Sequence, residues 1–213
     1  MKTYKAVIFD LDGVICSTDR FHYQAWKKLA DDIGVYFDET INNRLRGVSR
    51  MASLEIILER SDRKFSEDEK LTLTEKKNEL YRSLLMNMSP ADLSEEMKST
   101  LDTLRGRGLK LAIGSSSKNT KLILGRIGLA DYFDAISDGT NISHSKPHPE
   151  VFLKAAQMLG LVPDECVVIE DARAGIDAAV AGGFDCAGIG EAAEHEQVTY
   201  PLARISDLLE VVK

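Results

Sequence analysis

The apolar run Ala6-Val7-Ile8-Phe9 stops abruptly at Asp10-Leu11-Asp12, and Gly13-Val14 follow at once. A short run of consecutive apolar residues suits a strand buried on both faces, as in the middle of a parallel sheet. In open α/β sheets the ligand crevice lies beyond the carboxyl ends of such strands. Two carboxylates therefore stand where chemistry is done. A lone Asp-x-Asp is better explained as a strand-ending turn, so the reading depends on its company. Two further apolar runs supply it. Leu109-Lys110-Leu111-Ala112-Ile113-Gly114 ends in Ser115-Ser116-Ser117-Lys118-Asn119, and Cys166-Val167-Val168-Ile169 ends in Glu170-Asp171. Between them, Ser145-Lys146-Pro147-His148-Pro149 puts one lysine on a proline-stiffened loop.

The order of elements places these clusters on one architecture. Residues 1–15 read as a strand and an acidic turn, after which helical periodicity takes over: Ala25, Trp26, Leu29 and Ile33 share a face within 21–34, and further helices are expected over 50–59 and 67–86. Strands are expected at 110–113, 135–137, 166–169 and 185–189. Helices are expected at 119–127, 150–159, 175–181 and from Ser206 onward. The fold class is therefore α/β, a doubly wound parallel sheet with an α-helical cap domain inserted after the first strand. The expected division is 1–15 with 90–213 as the core and 16–89 as the cap, with hinges near Ile15–Thr18 and Met88–Pro90.

Composition excludes several classes. A formal net charge of −7 over 213 residues argues against nonspecific nucleic-acid binding, which draws on positive surface. No apolar run is long enough to span a bilayer and no signal-peptide pattern is present, so a cytoplasmic protein without membrane association is expected, with a monomer as the default. Cys16, Cys166 and Cys186 are odd in number and lack metal-ligand spacing, which favours buried free thiols over disulfides or zinc. Local cations still matter, because Arg46, Arg50, Lys77, Lys118 and Lys146 can line a phosphate-binding cleft inside an acidic protein.

The ordered set Asp10-Leu11-Asp12-Gly13-Val14, Ser115, Lys146 and Glu170-Asp171 resembles the haloacid dehalogenase-like superfamily, whose core is Rossmann-like, and the resemblance spans the whole chain. Gly47-Val48-Ser49-Arg50, Ser89-Pro90-Ala91-Asp92, Ser117-Lys118-Asn119 and Ser145-Lys146-Pro147 resemble the β-phosphoglucomutase family within it. That resemblance implies Asp10 as a nucleophile that becomes phosphorylated, Asp12 as general acid and base, and Ser115 and Lys146 as groups that hold the transferring phosphoryl. It implies Mg²⁺ held by Asp10, the backbone oxygen of Asp12, Glu170 and Asp171. It also implies a cis bond at Lys146-Pro147.

A mutase must grip a second phosphate. The resemblance assigns this to Gly47, Val48, Ser49 and Arg50 from the cap and to Ser117, Lys118 and Asn119 from the core. His22, Trp26, Ser53 and Lys77 are further candidate substrate contacts, Trp26 being the most easily read as core. The implied reaction interconverts β-D-glucose 1-phosphate and D-glucose 6-phosphate through a phospho-aspartate and β-glucose 1,6-bisphosphate. A Mg²⁺-dependent sugar-phosphate phosphatase is the rival. A mutase for another sugar phosphate is a nearer variant, and a non-catalytic sugar-phosphate sensor is disfavoured because Asp10 and Asp12 are both present. The chain departs from the family pattern at Ser17, where an acidic residue is frequent, and at Ala172, where serine is common.

Overall fold

The computed structural model describes residues 2–212. Its centre is a six-stranded sheet, parallel throughout, of β1 (Ala6–Phe9), β2 (Lys110–Gly114), β3 (Ala135–Ser137), β4 (Cys166–Glu170), β5 (Asp185–Ile189) and β6 (Tyr200–Leu202), in the order β3-β2-β1-β4-β5-β6. β1 is the hub, with Phe9 level with Ile113 on one side and with Ile169 on the other. The strand order therefore reverses at β1, and the crevice that such a reversal opens lies directly beyond Phe9.

The apolar runs are continuous because both faces are covered. Val7, Phe9, Leu111, Ile113, Val167 and Ile169 point to one side, where they meet α5 (Glu95–Gly106), α6 (Thr120–Arg126) and α9 (Leu208–Val211). Ala6, Ile8, Ala112, Cys166, Val168 and Cys186 point to the other, against α7 (Glu150–Leu159) and α8 (Arg173–Ala181). This alternation is the two-residue period of a strand read twice over.

Between β1 and α5 the chain forms α1 (Asp19–Asp32), α2 (Glu39–Asn43), α3 (Arg50–Leu58) and α4 (Glu67–Leu85). These helices build an apolar cluster of their own from Trp26, Leu29, Phe37, Ile41, Leu54, Ile57 and Leu73. Their polar starts are well signalled. Ser49 caps α3, and Ser66 with Glu69 forms a reciprocal capping box on α4. Phe21, Ala25, Tyr81 and Leu85 instead join the sheet-face cluster, so the ends of α1 and α4 nearest the sheet are packed into it.

Three elements lie outside the sequence expectation. Helix α5 carries Met97, Leu101 and Leu104 at i, i+4, i+7, all buried, and begins on a Ser94 cap. The five-residue α2 is too short to show a period. Strand β6 contains Pro201, which argues against a strand; it survives because β6 is the sheet edge, where a missing N–H leaves no ladder bond unmade. All three cysteines are buried free thiols. None of the described helices is long and apolar enough to cross a membrane.

Candidate active site

Asp10 follows β1 immediately, its N–H donating to the Ile169 carbonyl at 2.9 Å, so the carboxylate leaves the sheet between β1 and β4. The chain then turns rather than continuing as a strand. The Leu11 carbonyl accepts from Ile15 and Cys16 at 3.0 and 3.2 Å, and Gly13 N–H donates to the Cys16 carbonyl at 2.9 Å. Strand alternation thus does not set the direction of Asp12. Its carboxylate accepts a hydrogen bond from the Thr18 hydroxyl at the start of α1. Gly13 has φ +91°, and a Cβ there would lie 2.0 Å from Asp171 Oδ2. The glycine serves both the turn and the close approach of the acidic loop after β4.

Lys146 reaches into this corner from its loop, buried, with its ammonium between the carboxylates of Asp10 and Glu170. The Lys146-Pro147 bond is cis, as the resemblance implies. Burial alone lowers the affinity of this amine for its proton, but Asp10 and Glu170 outweigh it and raise the Lys146 pKa. Burial, with the neighbouring Asp10 charge, pushes the Asp12 carboxyl up to about 6 and that of Asp171 up to about 8. Glu170 is raised as well, again chiefly by burial. Such a set of acids is costly to ionise together without further positive charge.

Asp10, Glu170 and Asp171 each bring a carboxylate oxygen within 4.8 Å of the others. Glu170 Oε2 accepts from the amides of Asp171 and Ala172 at 3.0 and 3.1 Å, which fixes its orientation. A Cβ on Gly175 would lie 1.9 Å from the Glu170 carboxyl carbon, so only glycine leaves room for that carboxylate. An all-oxygen, acidic, cradled donor set of this kind fits a hard divalent cation.

The loop after β2 forms a compact turn beside these acids. Ser115 is buried and its hydroxyl oxygen accepts from Ser117 N–H at 3.2 Å; the Ser117 hydroxyl accepts from Asn119 N–H at 3.1 Å. Gly139 lies so close that a Cβ would stand 2.4 Å from the Ser116 carbonyl oxygen. The Lys146 amide is 3.5 Å from the Ser116 hydroxyl, tying the lysine loop to the serine loop.

The helical insert faces this edge across one cleft of about 1450 Å³, lined by every candidate catalytic, metal-binding and substrate-binding residue, Val48 and Ser53 included, whereas Ser89-Pro90-Ala91-Asp92 lies outside it. Ser49 is there as the cap of α3, its hydroxyl oxygen accepting from Ala52 N–H at 3.2 Å. Trp26 is almost wholly buried in the insert's apolar cluster while one part lines the cleft, so both readings of it hold. His22 Nδ1 lies 2.9 Å from Lys77 Nζ, and that amine sits 4.7 and 4.4 Å from the ring centres of Trp26 and Tyr81. Burial, reinforced by Arg50, drives the Lys77 pKa well below that of a free lysine and that of His22 well below a free histidine, with Lys77 also acting on His22.

Sequence reasoning missed two participants. Asn78, next to Lys77 on α4, accepts hydrogen bonds at its Oδ1 from Arg50 (2.8 Å) and from the core residue Asn119 (2.9 Å). Thr18, singled out only as a hinge position, holds Asp12. An asparagine in mid-helix gives no signal until α3, α4 and the loop after β2 meet. Cys16 lies near the acids, but burial raises its thiol pKa, which removes thiolate chemistry.

With that geometry in hand, comparison with known proteins decides the family. A family model described as haloacid dehalogenase-like hydrolase matches residues 4–183. The β-phosphoglucomutase of Bacillus subtilis is 42% identical over 189 residues, covering 88% of this chain and 84% of that one. The chain belongs to the haloacid dehalogenase-like hydrolases, in the β-phosphoglucomutase family. Among solved structures, β-phosphoglucomutase from Clostridium difficile superimposes with a TM-score of 0.91 at 38% identity, covering 97% of this chain and 93% of that one. Haloacid dehalogenase-like relatives also include phosphatases. The fructose-1-phosphate phosphatase of Escherichia coli is 33% identical over 187 residues, 87% of this chain and 96% of that one.

Proposed function

We propose that this chain is a Mg²⁺-dependent β-phosphoglucomutase that interconverts β-D-glucose 1-phosphate and D-glucose 6-phosphate. In this reading residues 16–89 act as the cap over a core of 1–15 and 90–213. The enzyme would be a cytoplasmic monomer of carbohydrate metabolism, linking disaccharide phosphorolysis to glycolysis. The observation that carries it is the pairing within one cleft of two anion-handling ends. Asp10, Lys146 and Ser115 stand at one; Arg50 and Asn119, joined by Asn78, stand at the other.

The chemistry follows from these groups. Asp10 Oδ attacks phosphorus, forming a carboxylate–phosphoryl bond as the bond to the sugar oxygen breaks. Asp12, raised to about 6 by burial, is suited to hand a proton to that oxygen and later to take one from the attacking hydroxyl. Lys146 and the Ser115 turn offer fixed positive charge and N–H donors to the phosphoryl oxygens. Asp10, Glu170, Asp171 and the Asp12 carbonyl would hold Mg²⁺, which supplies the charge that lets a carboxylate approach a phosphate dianion. Arg50, with Ser117, Lys118 and Asn119, would grip the non-reacting phosphate and let binding energy favour the sugar hydroxyl over water.

A sugar-phosphate phosphatase is the second reading, supported by the phosphatases among the relatives. A coupled assay separates the two. Glucose 6-phosphate formed from β-glucose 1-phosphate, with Mg²⁺ and a trace of the bisphosphate and with no free phosphate, supports the mutase; loss in Asp10→Asn ties it to the nucleophile. Free phosphate without isomerised sugar supports the phosphatase.

A further inference from the structure

The loop that carries Lys146 has a second face. His144 precedes the lysine by two residues and His148 follows it by two. Both rings are exposed at the rim of the cleft, with centres 4.6 Å apart and planes tilted by 33°. Glu150, the first residue of α7, completes the group, so that His144, His148 and Glu150 each place one donor atom within 4.8 Å of the others.

The parts are preorganised to different degrees. Glu150 is held: its carboxylate accepts from Ser143 N–H at 3.1 Å and His144 N–H at 2.8 Å, and Lys154 Nζ lies 2.8 Å from Oε1. His144 Nδ1 stands 3.1 Å from Glu150 Oε2. That is close to the donor–donor edge of about 3.3 Å in a tetrahedral centre with metal–ligand bonds near 2.0–2.1 Å. His148 Nδ1 accepts from the Glu150 amide at 3.3 Å, so in the neutral ring Nε2 carries the proton and Nδ1 holds the lone pair that a metal would take in place of this long hydrogen bond. Turning one solvent-exposed ring closes the remaining gap. The backbone between the two histidines contains Pro147, and Pro149 follows directly, so the chelate has few backbone torsions left to freeze.

We propose that His144, His148 and Glu150 form a second metal site, for a divalent transition ion of the zinc type, with the fourth position left to water. Two imidazole nitrogens and one carboxylate suit Zn²⁺ and disfavour Mg²⁺, whereas the all-oxygen set of Asp10, Glu170 and Asp171 has the opposite preference. The two sites flank Lys146 and differ in the metal they select. A zinc ion bound at the rim ties down both shoulders of the lysine loop and restrains the lysine that faces the reacting phosphoryl. Its effect on turnover is therefore inhibitory.

The metal-binding arm needs no catalytic turnover and stands apart from the mutase reading. Full-length, chelator-treated protein is titrated with Zn²⁺ against a competing chromophoric chelator under saturating Mg²⁺, while the ring signals of its four histidines are followed by NMR. One tight zinc per chain is expected, with the His144 and His148 signals shifting together and those of His22 and His195 unmoved. His148→Ala and His144→Ala each weaken binding about tenfold or more. Zinc affinity unchanged in both variants, or movement of His22 and His195 instead, overturns the site. In a turnover assay with Mg²⁺ in excess, zinc slows the wild type and His148→Ala resists it. Equal inhibition of both places zinc among the active-site carboxylates and overturns the loop restraint.

Discussion

Arg50 donates to Asn78 across 2.8 Å, and the same Asn78 oxygen takes a hydrogen bond from Asn119 across 2.9 Å. One neutral amide oxygen thus holds a guanidinium from α3 and a carboxamide from the core loop after β2 together before any substrate arrives. Arg82 donates to the side-chain Oδ1 of Asn119 at 3.1 Å, so the orientation of that carboxamide is set from both ends. Replacing Asn78 by Ala leaves Arg50 and Asn119 without their shared acceptor. KM for the sugar phosphate should rise about 3–10-fold, the worth of about one hydrogen bond, with kcat little changed. Steady-state kinetics in the coupled assay checks the split; a fall in kcat at constant KM rules out a positioning role in binding.

Gly175 and Gly13 make room for the acidic side chains of Glu170, the last residue of β4, and of Asp171, which follows it. A methyl at Gly175 would overlap the Glu170 carboxyl group, and one at Gly13 would overlap the carboxylate of Asp171 on a backbone of φ +91°. Gly175→Ala should therefore weaken Mg²⁺ binding by about tenfold or more through displacement of Glu170. Gly13→Ala should do the same and also cost about 1–2 kcal/mol from the left-handed backbone. Metal titration by calorimetry, with thermal denaturation in parallel, tests both. Wild-type affinity in Gly175→Ala would remove Glu170 from the metal site.

The acids also set a pH dependence. Asp12 and Asp171 titrate at about 6 and about 8 in the folded, metal-free chain, above their unfolded values near the ordinary aspartate range, and Glu170 is shifted the same way. Folding therefore takes up protons, and the stability these carboxyls contribute is full below the unfolded pKa and lost as pH rises through the folded one. The metal-free protein should lose thermal stability between about pH 4 and about pH 8. A divalent cation binds the ionised carboxylates and displaces protons, so added Mg²⁺ should raise Tm more at pH 8 than at pH 6. A Mg²⁺ effect on Tm that is the same at both values would contradict this origin.

Lys77 is a buried amine held among Trp26, Tyr81 and His22, and among the described residues no carboxylate lies within ion-pair distance of it. Lys77→Met keeps the length of the side chain and removes the cost of burying an amine. Tm should not fall, while kcat/KM for the sugar phosphate should drop at least about tenfold if the amine meets the sugar. Differential scanning calorimetry and kinetics on the same preparation decide it; an unchanged kcat/KM makes Lys77 a packing residue.

Strand β1 and its acidic end were legible because a strand buried on both faces of a parallel sheet leaves a short run of consecutive apolar residues, here stopped abruptly by two carboxylates. The same kind of run marks β2 and β4. Helix α5 carries a readable period in Met97, Leu101 and Leu104, but these three positions are weaker than the strand-end motifs on either side of it. Strand β6 was not legible, since Pro201 contradicts a strand until its edge position is known. Within the site, motif order in the chain selected Asp10, Ser115, Lys146, Glu170 and Asp171, which the fold brings to one cleft with Arg50 and Asn119.

Residue type and order along the chain therefore determined the fold class and the chemical inventory: hydrophobic period dictates which segments bury which faces, and carboxylates, lysine and serine at strand ends have few other uses together. Direction and pairing belonged to the tertiary structure. That Asp12 turns to Thr18, that Lys146 is shared by Asp10 and Glu170, and that Asn78 joins Arg50 to Asn119 are contacts between elements far apart in the chain. Side-chain hydrogen bonds act over about 3 Å, so such contacts exist only once packing has brought the backbones of separate elements together.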